Sequence, residues 1–199
     1  MIEEFKHTEK HTSHVPSLDS YERRIAEIKK YAEELVSDLT DAQFNKKPAN
    51  GGWSVGECFE HMNILGKEYI APLKKAIDTA RKKGWKPKQK YKYSFFGRAF
   101  IRSMEPPYKM KLKTTKAMQT QDKNLSKEKV LKDFYALQEE LLRLMREAQD
   151  VDLQRAKAPS QILPVIRFSV GEWLAVTAVH ERRHLWQAAQ VKKSFKKRD

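Results

Sequence analysis

Residues 169–187 read SVGEWLAVTAVHERRHLWQ, from Ser169 to Gln187. Ser169 and Glu172 have the S-x-x-E spacing of a capping box, so a helix starts at Val170 and is predicted to run to about Val191. Within it lies HERRH, with His180 and His184 four residues apart on one helical face. Two imidazoles so placed can bite one metal ion, each through one ring nitrogen, and zinc, nickel and iron accept imidazole well. The string also matches the H-E-x-x-H of zinc proteases, whose third ligand in the best-known cases lies further along the chain. The fifteen residues after His184 contain neither His nor Glu, so a standard zinc-protease site fails on this sequence. A third ligand must come from upstream.

The same cap recurs at Ser54–Glu57, again SVGE. The helix it opens runs through Val55, Phe59, Leu65, Leu73 and Ile77 to about Lys83, with a kink expected at Pro72. His61 lies one turn beyond Cys58 on this helix, among apolar residues, and is the best candidate for the third ligand. Core or surface histidines with ordinary hydrogen bonds remain the competing reading for all three. Two further stripes complete the pattern. Ile25, Ile28, Ala32, Leu35, Val36 and Leu39 mark one helix between Ser17 and Thr40. Val130, Leu131, Phe134, Leu137, Leu141, Leu144, Met145 and Ala148 mark another, capped by Ser126. Four long apolar stripes joined by connections of alternating length imply an all-α four-helix bundle.

Two connectors interrupt the stripes. Residues 84–125 are punctuated by Gly84, Pro87, Gly97, Pro106 and Pro107. They are too long for a bare loop and are expected to pack across the bundle, with a short helix over Phe95–Met104. Residues 150–168 contain Pro159 and Pro164, and their apolar run Ile162–Phe168 must be covered. Residues 1–16 read as a polar, flexible arm, 17–191 as the folded domain and 192–199 as a basic tail.

Composition bounds the function. The single cysteine, Cys58, excludes an intramolecular disulfide, so a metal site must lean on His and carboxylates. No apolar run approaches the ~20 residues of a membrane span, and the N-terminal stretch has none of a secretory signal, so a cytoplasmic protein is the expectation. The formal net charge is +14. Residues 81–116 contain thirteen Lys or Arg and one acid, Glu105, and the tail adds five bases against Asp199. The basic character therefore belongs to a connector and a tail, not to a recognition helix, and nucleic acid is not the favoured partner.

WSVGECFEHM (Trp53–Met62) and SVGEWLAVTAVHERRHLWQ resemble the two signature stretches of the DinB-like, or YfiT-like, superfamily, and PPYKMKLKT (Pro106–Thr114) is similar to a third. The resemblance covers most of residues 18–191. It implies a bundle with an up-down-down-up path, a long connector between its second and third helices, and one divalent transition metal held by His61, His180 and His184. Zinc or nickel would suit these ligands best, with iron or manganese as further choices. Relatives include metal-dependent hydrolases and transferases that use low-molecular-weight thiols. The expected partner is thus a small-molecule substrate, with a homodimer left open.

Other residues have plainer readings. Glu181 turns about 100° away from His180, so a carboxylate that is solvated or sits behind the ligands, paired with Arg182 or Arg183, is expected. Glu57 and Glu172 are read as caps. Gln187 and Trp173 share the face of His180 and His184, with core packing at least as good an account of Trp173. Cys58 is read as a small buried hydrophobe. His7, His11 and His14 would share a face only if the arm were helical, and such arms are usually disordered. The aromatics of the connector, Trp85 to Tyr108, are expected to cover the open end of the bundle, although bases interleaved with aromatics can also bind single strands. From another class, the alternative is a non-enzymatic binding protein with a structural metal and a basic surface for nucleic acid or an acidic partner.

Overall fold

The computed structural model describes residues 17–88, 91–108, 114–115, 118–122, 124–160 and 166–196. The arm with His7, His11 and His14, and the Ile162–Val165 part of the second connector, lie outside the described residues. Four long helices form the bundle: α1 (Leu18–Val36), α3 (Val55–Lys82), α5 (Lys127–Glu147) and α6 (Val170–Lys196). Short elements join them: α2 (Asp41–Asn45), α4 (Phe95–Met104), and an antiparallel pair of strands, β1 (Lys157–Pro159) and β2 (Arg167–Ser169).

Cross-helix contacts establish the path. Tyr21 Oη donates to Gly171 O at 3.1 Å and Lys192 Nζ to Leu35 O at 2.7 Å, so α1 and α6 run the same way. Asn63 Nδ2 donates to Val130 O at 3.0 Å, and Arg81 meets Asp150 at 2.9 Å, so α3 and α5 are also parallel. Tyr69 packs on Trp173 while His61 meets His180, so α3 and α6 are antiparallel. The order is up, down, down, up. Because α3 and α5 are parallel neighbours, the chain between them must return the length of the bundle, which explains the long connector.

Local chemistry explains where the helices start. Ser17 with Ser20, Ser54 with Glu57 and Ser169 with Glu172 all form reciprocal caps. So does Thr40 with Gln43, which opens α2. This short helix lay unread in the sequence, though its T-x-x-Q spacing is a capping signal. It drives Phe44 under Gly56, where a Cβ would lie 2.8 Å from the ring. The strand pair was also unforeseen. It covers one side of α6: Trp173 Nε1 donates to Ala158 O at 3.3 Å, and Phe168 packs against both Trp173 and Phe100.

Helix α3 runs uninterrupted through Pro72, and α6 continues to Lys196, five residues past its expected end. The α4 helix occupies Phe95–Met104 as expected. Of the connector aromatics, Tyr91 lies against Gly171 and Tyr108 against Trp186 on α6, and Tyr93 meets Tyr21 of α1, whereas Trp85 packs against Arg155 near the strand pair. Phe95 and Phe96 are exceptions to the expected cover, at 74% and 77% exposed: both sit in the first turn of α4, whose buried face is formed by Gly97, Ile101 and Met104. Among the described residues, no helix is long and apolar enough to cross a membrane.

Helices α3 and α5 pack closely at Gly66, where a Cβ would fall 2.1 Å from Leu137 Cδ2 and 2.9 Å from Cδ1. Leu137 is buried, so its branch has little room to yield. Gly66→Ala should therefore destabilise the protein by about 1–3 kcal/mol, outweighing the gain in helix propensity. Urea unfolding measures this. A variant more stable than wild type would show that the interhelical contact is looser than described.

Candidate metal centre

Helix α6 is unusual because every residue from Val170 to Leu185 is buried. It packs against α1, α3, α4 and the strand pair. HERRH thus has no solvent face, and each polar side chain must find a partner inside the protein. The carboxylate of Glu172 starts this enclosure. Its Oε2 accepts from Ser169 N at 2.8 Å, and its Oε1 accepts from Ser94 N at 2.6 Å. One side chain therefore caps α6 and anchors the N-cap residue of α4. Burial opposes ionisation there, but hydrogen bonds from Ser94 and Ser169 hold the carboxyl below its usual range.

His61, His180 and His184 come together, with one candidate ligand atom from each within 4.8 Å of the others. They are 4%, 7% and 6% exposed. His61 Nε2 lies 3.2 Å from His180 Nε2, and the His184 ring centroid is 4.5 Å from both other rings. His61 Nδ1 donates to Met118 O at 2.7 Å, which leaves the Nε2 lone pair directed at His180. Burial lowers the pKa of all three rings, and the neighbouring imidazoles and Arg183 lower His180 and His184 further, so the cluster is neutral. Neutral imidazole is the form that ligates metals. Two nitrogens sharing a tetrahedral ion at about 2.0–2.1 Å would lie roughly 3.3 Å apart, close to the separation between His61 and His180. His180 Nδ1 and His184 Nδ1 are buried without hydrogen-bond partners. The donor set fits one transition-metal ion.

Other residues enclose the cluster. Trp53 stacks on His184 at a centroid distance of 5.6 Å and tilts over His61 at 4.9 Å. Its role was missed in the sequence, although it directly precedes the cap of α3. The Arg183 guanidinium lies 3.6 Å from the Tyr108 ring centroid, and Arg182 pairs with Glu105 at 2.9 Å. Gln187 lies beside His184, whereas Trp173 belongs to the core beneath the strands. Cys58 is fully buried, and burial followed by the charge of Glu57 pushes its thiol up, as a small core residue requires.

Glu181 departs from expectation. It is 0% exposed and pairs with neither arginine; Gln138 of α5 donates to its Oε1 at 3.0 Å. The rotation away from His180 turns it towards α5, where the carboxyl is enclosed by the protein. Glu181 Oε2 and Gln138 Oε1 are both without partners. Burial pushes the carboxyl up to about 7, against a smaller downward pull from Gln138. A neutral carboxylic acid has one O–H, the donor that Gln138 Oε1 lacks.

A carboxyl raised in the folded state contributes stability that is fully present below its unfolded pKa, about 4.5, and lost as pH rises through about 7. Wild type should therefore lose up to about 3 kcal/mol relative to Glu181→Gln across that window, and little beyond it. Urea unfolding of both proteins against pH tests this, since the histidine titrations are common to both. A constant difference between them would show that Glu181 is ionised in the fold.

Comparison with known proteins was consistent with this architecture. No protein of curated function matches the sequence. YfiT from Bacillus subtilis, described as "a probable metal-dependent hydrolase with an unusual four-helix bundle topology", is similar in structure, with a TM-score of 0.60 at 13% identity over 96% of this chain and 94% of that one. That likeness concerns the fold. The family model of the DinB superfamily matches residues 24–188, and the chain belongs to that superfamily.

Proposed function

We propose that this protein is a metal-dependent hydrolase of a small molecule, with one divalent transition-metal ion held by His61, His180 and His184. The observation that carries the reading is the convergence of three buried, neutral imidazoles from two antiparallel helices. The description of YfiT supports the hydrolytic chemistry. When bound, the ion would act as a Lewis acid that makes a water, or a thiol, nucleophilic near neutral pH. Three protein ligands leave a position open for that role.

The chain's own groups prepare the site. The Met118 carbonyl holds the His61 tautomer, and Trp53 packs across two of the rings and limits their rotation. Arg183, next to His184 and stacked on Tyr108, places positive charge beside the cluster, which favours a substrate that is anionic or becomes so during reaction. A hydrolase rather than a structural-metal protein is supported by the core. Phe59, Phe134, Leu73, Ile77 and Leu141 are fully buried away from the histidines, so the fold does not need the ion as a staple.

His61→Ala should fold, melt only a few degrees lower, and lose both metal affinity and hydrolysis of small activated esters and amides. Thermal melting with and without chelator, alongside the ester and amide assay, checks this. If chelator alone unfolds wild type, the ion is structural and the binding-protein alternative replaces this reading. A rate seen only with an added low-molecular-weight thiol would move the assignment to thiol transfer.

A further inference from the structure

The positive charge that the sequence concentrates in a connector and a tail is arranged differently in space. A groove of about 720 Å³ lies between the C-terminal half of α3 and the strand pair. Its cations are Lys75 of α3, Lys83 just after it, Arg155, Lys157 of β1 and Arg167 of β2, and among the described residues no carboxylate lines it. The helical contributors share one face of α3, and Lys157 and Arg167 share one face of the strand pair by their register. Trp85 forms part of the wall. Its ring centroid is 4.3 Å from the Arg155 guanidinium and 5.1 Å from the Lys83 ammonium, so it holds two of the cations in place. Pro72 and Pro159 add apolar surface.

Acids are present nearby but are bound elsewhere. Arg81 holds Asp150 at 2.9 Å and Asp78 at 3.2 Å, and Lys88 holds Asp152 at 3.0 Å. Among the described residues, none of the five groove cations forms an ion pair. Five like charges facing one concavity repel one another, and an anion between them relieves that repulsion. Two are arginines, whose planar forks match phosphate oxygens bidentately. The volume suits a small molecule. Along α3, Lys75 lies fourteen residues beyond His61, roughly 20 Å at the rise of a helix, so the groove is separate from the histidine cluster.

We propose that this groove is a second binding site, for a small molecule carrying two or more phosphate groups. The probe is inorganic triphosphate, titrated calorimetrically into the full chain. Saturable binding of one triphosphate per chain is expected. It should weaken about ten-fold or more in Arg155→Gln/Arg167→Gln and, independently, in Lys75→Gln/Lys157→Gln. It should be unchanged in Arg98→Gln/Arg102→Gln, which removes two exposed bases of α4. His61→Ala should bind equally well, which keeps this result distinct from the fate of the metal centre. The proposal is overturned if binding does not saturate or if all three double variants lose affinity alike. Loss of binding in His61→Ala would place the anion at the histidines and also overturn it. So would a single-stranded oligonucleotide binding more tightly than triphosphate, which would make the groove part of a nucleic-acid surface.

Discussion

The enclosure of α6 is the constraint on which the rest of this structure depends. A helix buried from Val170 to Leu185 cannot leave a charge unpartnered, because desolvating a lone ion costs far more than a fold can offset. Each polar residue on it is accordingly matched to a particular neighbour. Glu172 takes two backbone donors, Glu181 takes Gln138, Arg182 takes Glu105 and Arg183 takes Tyr108. His180 and His184 are left facing His61, and the three imidazoles form the cluster proposed to hold an ion. The long connector is part of the same solution: α4 covers α6, and the backbone at Met118 holds His61.

Much of this was legible because its signals are local. Capping boxes place serine and glutamate three residues apart, and apolar stripes follow the helical period, so the four long helices and α4 could be read directly. The pairing of His180 with His184 is local in the same sense. Bringing His61 to them is not, and its placement rested on the apolar surroundings of that helix and on the family resemblance. What escaped reading depends on contacts distant in sequence. The expectation of a solvated Glu181 failed because nothing near it shows that α5 supplies Gln138. The strand pair is three residues a side, too short for alternation to register. The aromatic character of Phe95 and Phe96 points to a cover, but the first turn of α4 faces them outward.

Charge gives the clearest example of the difference. Counting along the chain locates the bases in residues 81–116, yet among the described residues the groove takes only Lys83 from that interval. Its other cations come from α3, the turn before β1 and the strand pair, where the surrounding sequence is balanced overall and the balance is broken by which acids pair with Arg81 and Lys88. The two polar features of the molecule thus have different physical origins. The histidine cluster is buried, neutral and made of candidate ligands, whereas the groove is open, cationic and made of exposed side chains.

The central claim is that the three histidines share one ion, and the metal content of the purified full-length chain tests it most directly. Elemental analysis should find about one transition-metal ion per wild-type chain and almost none in the double variant His180→Ala, His184→Ala, with both proteins equally helical. Full occupancy in the double variant, or a wild type that takes up no metal when offered zinc, nickel, iron or manganese, would contradict the account.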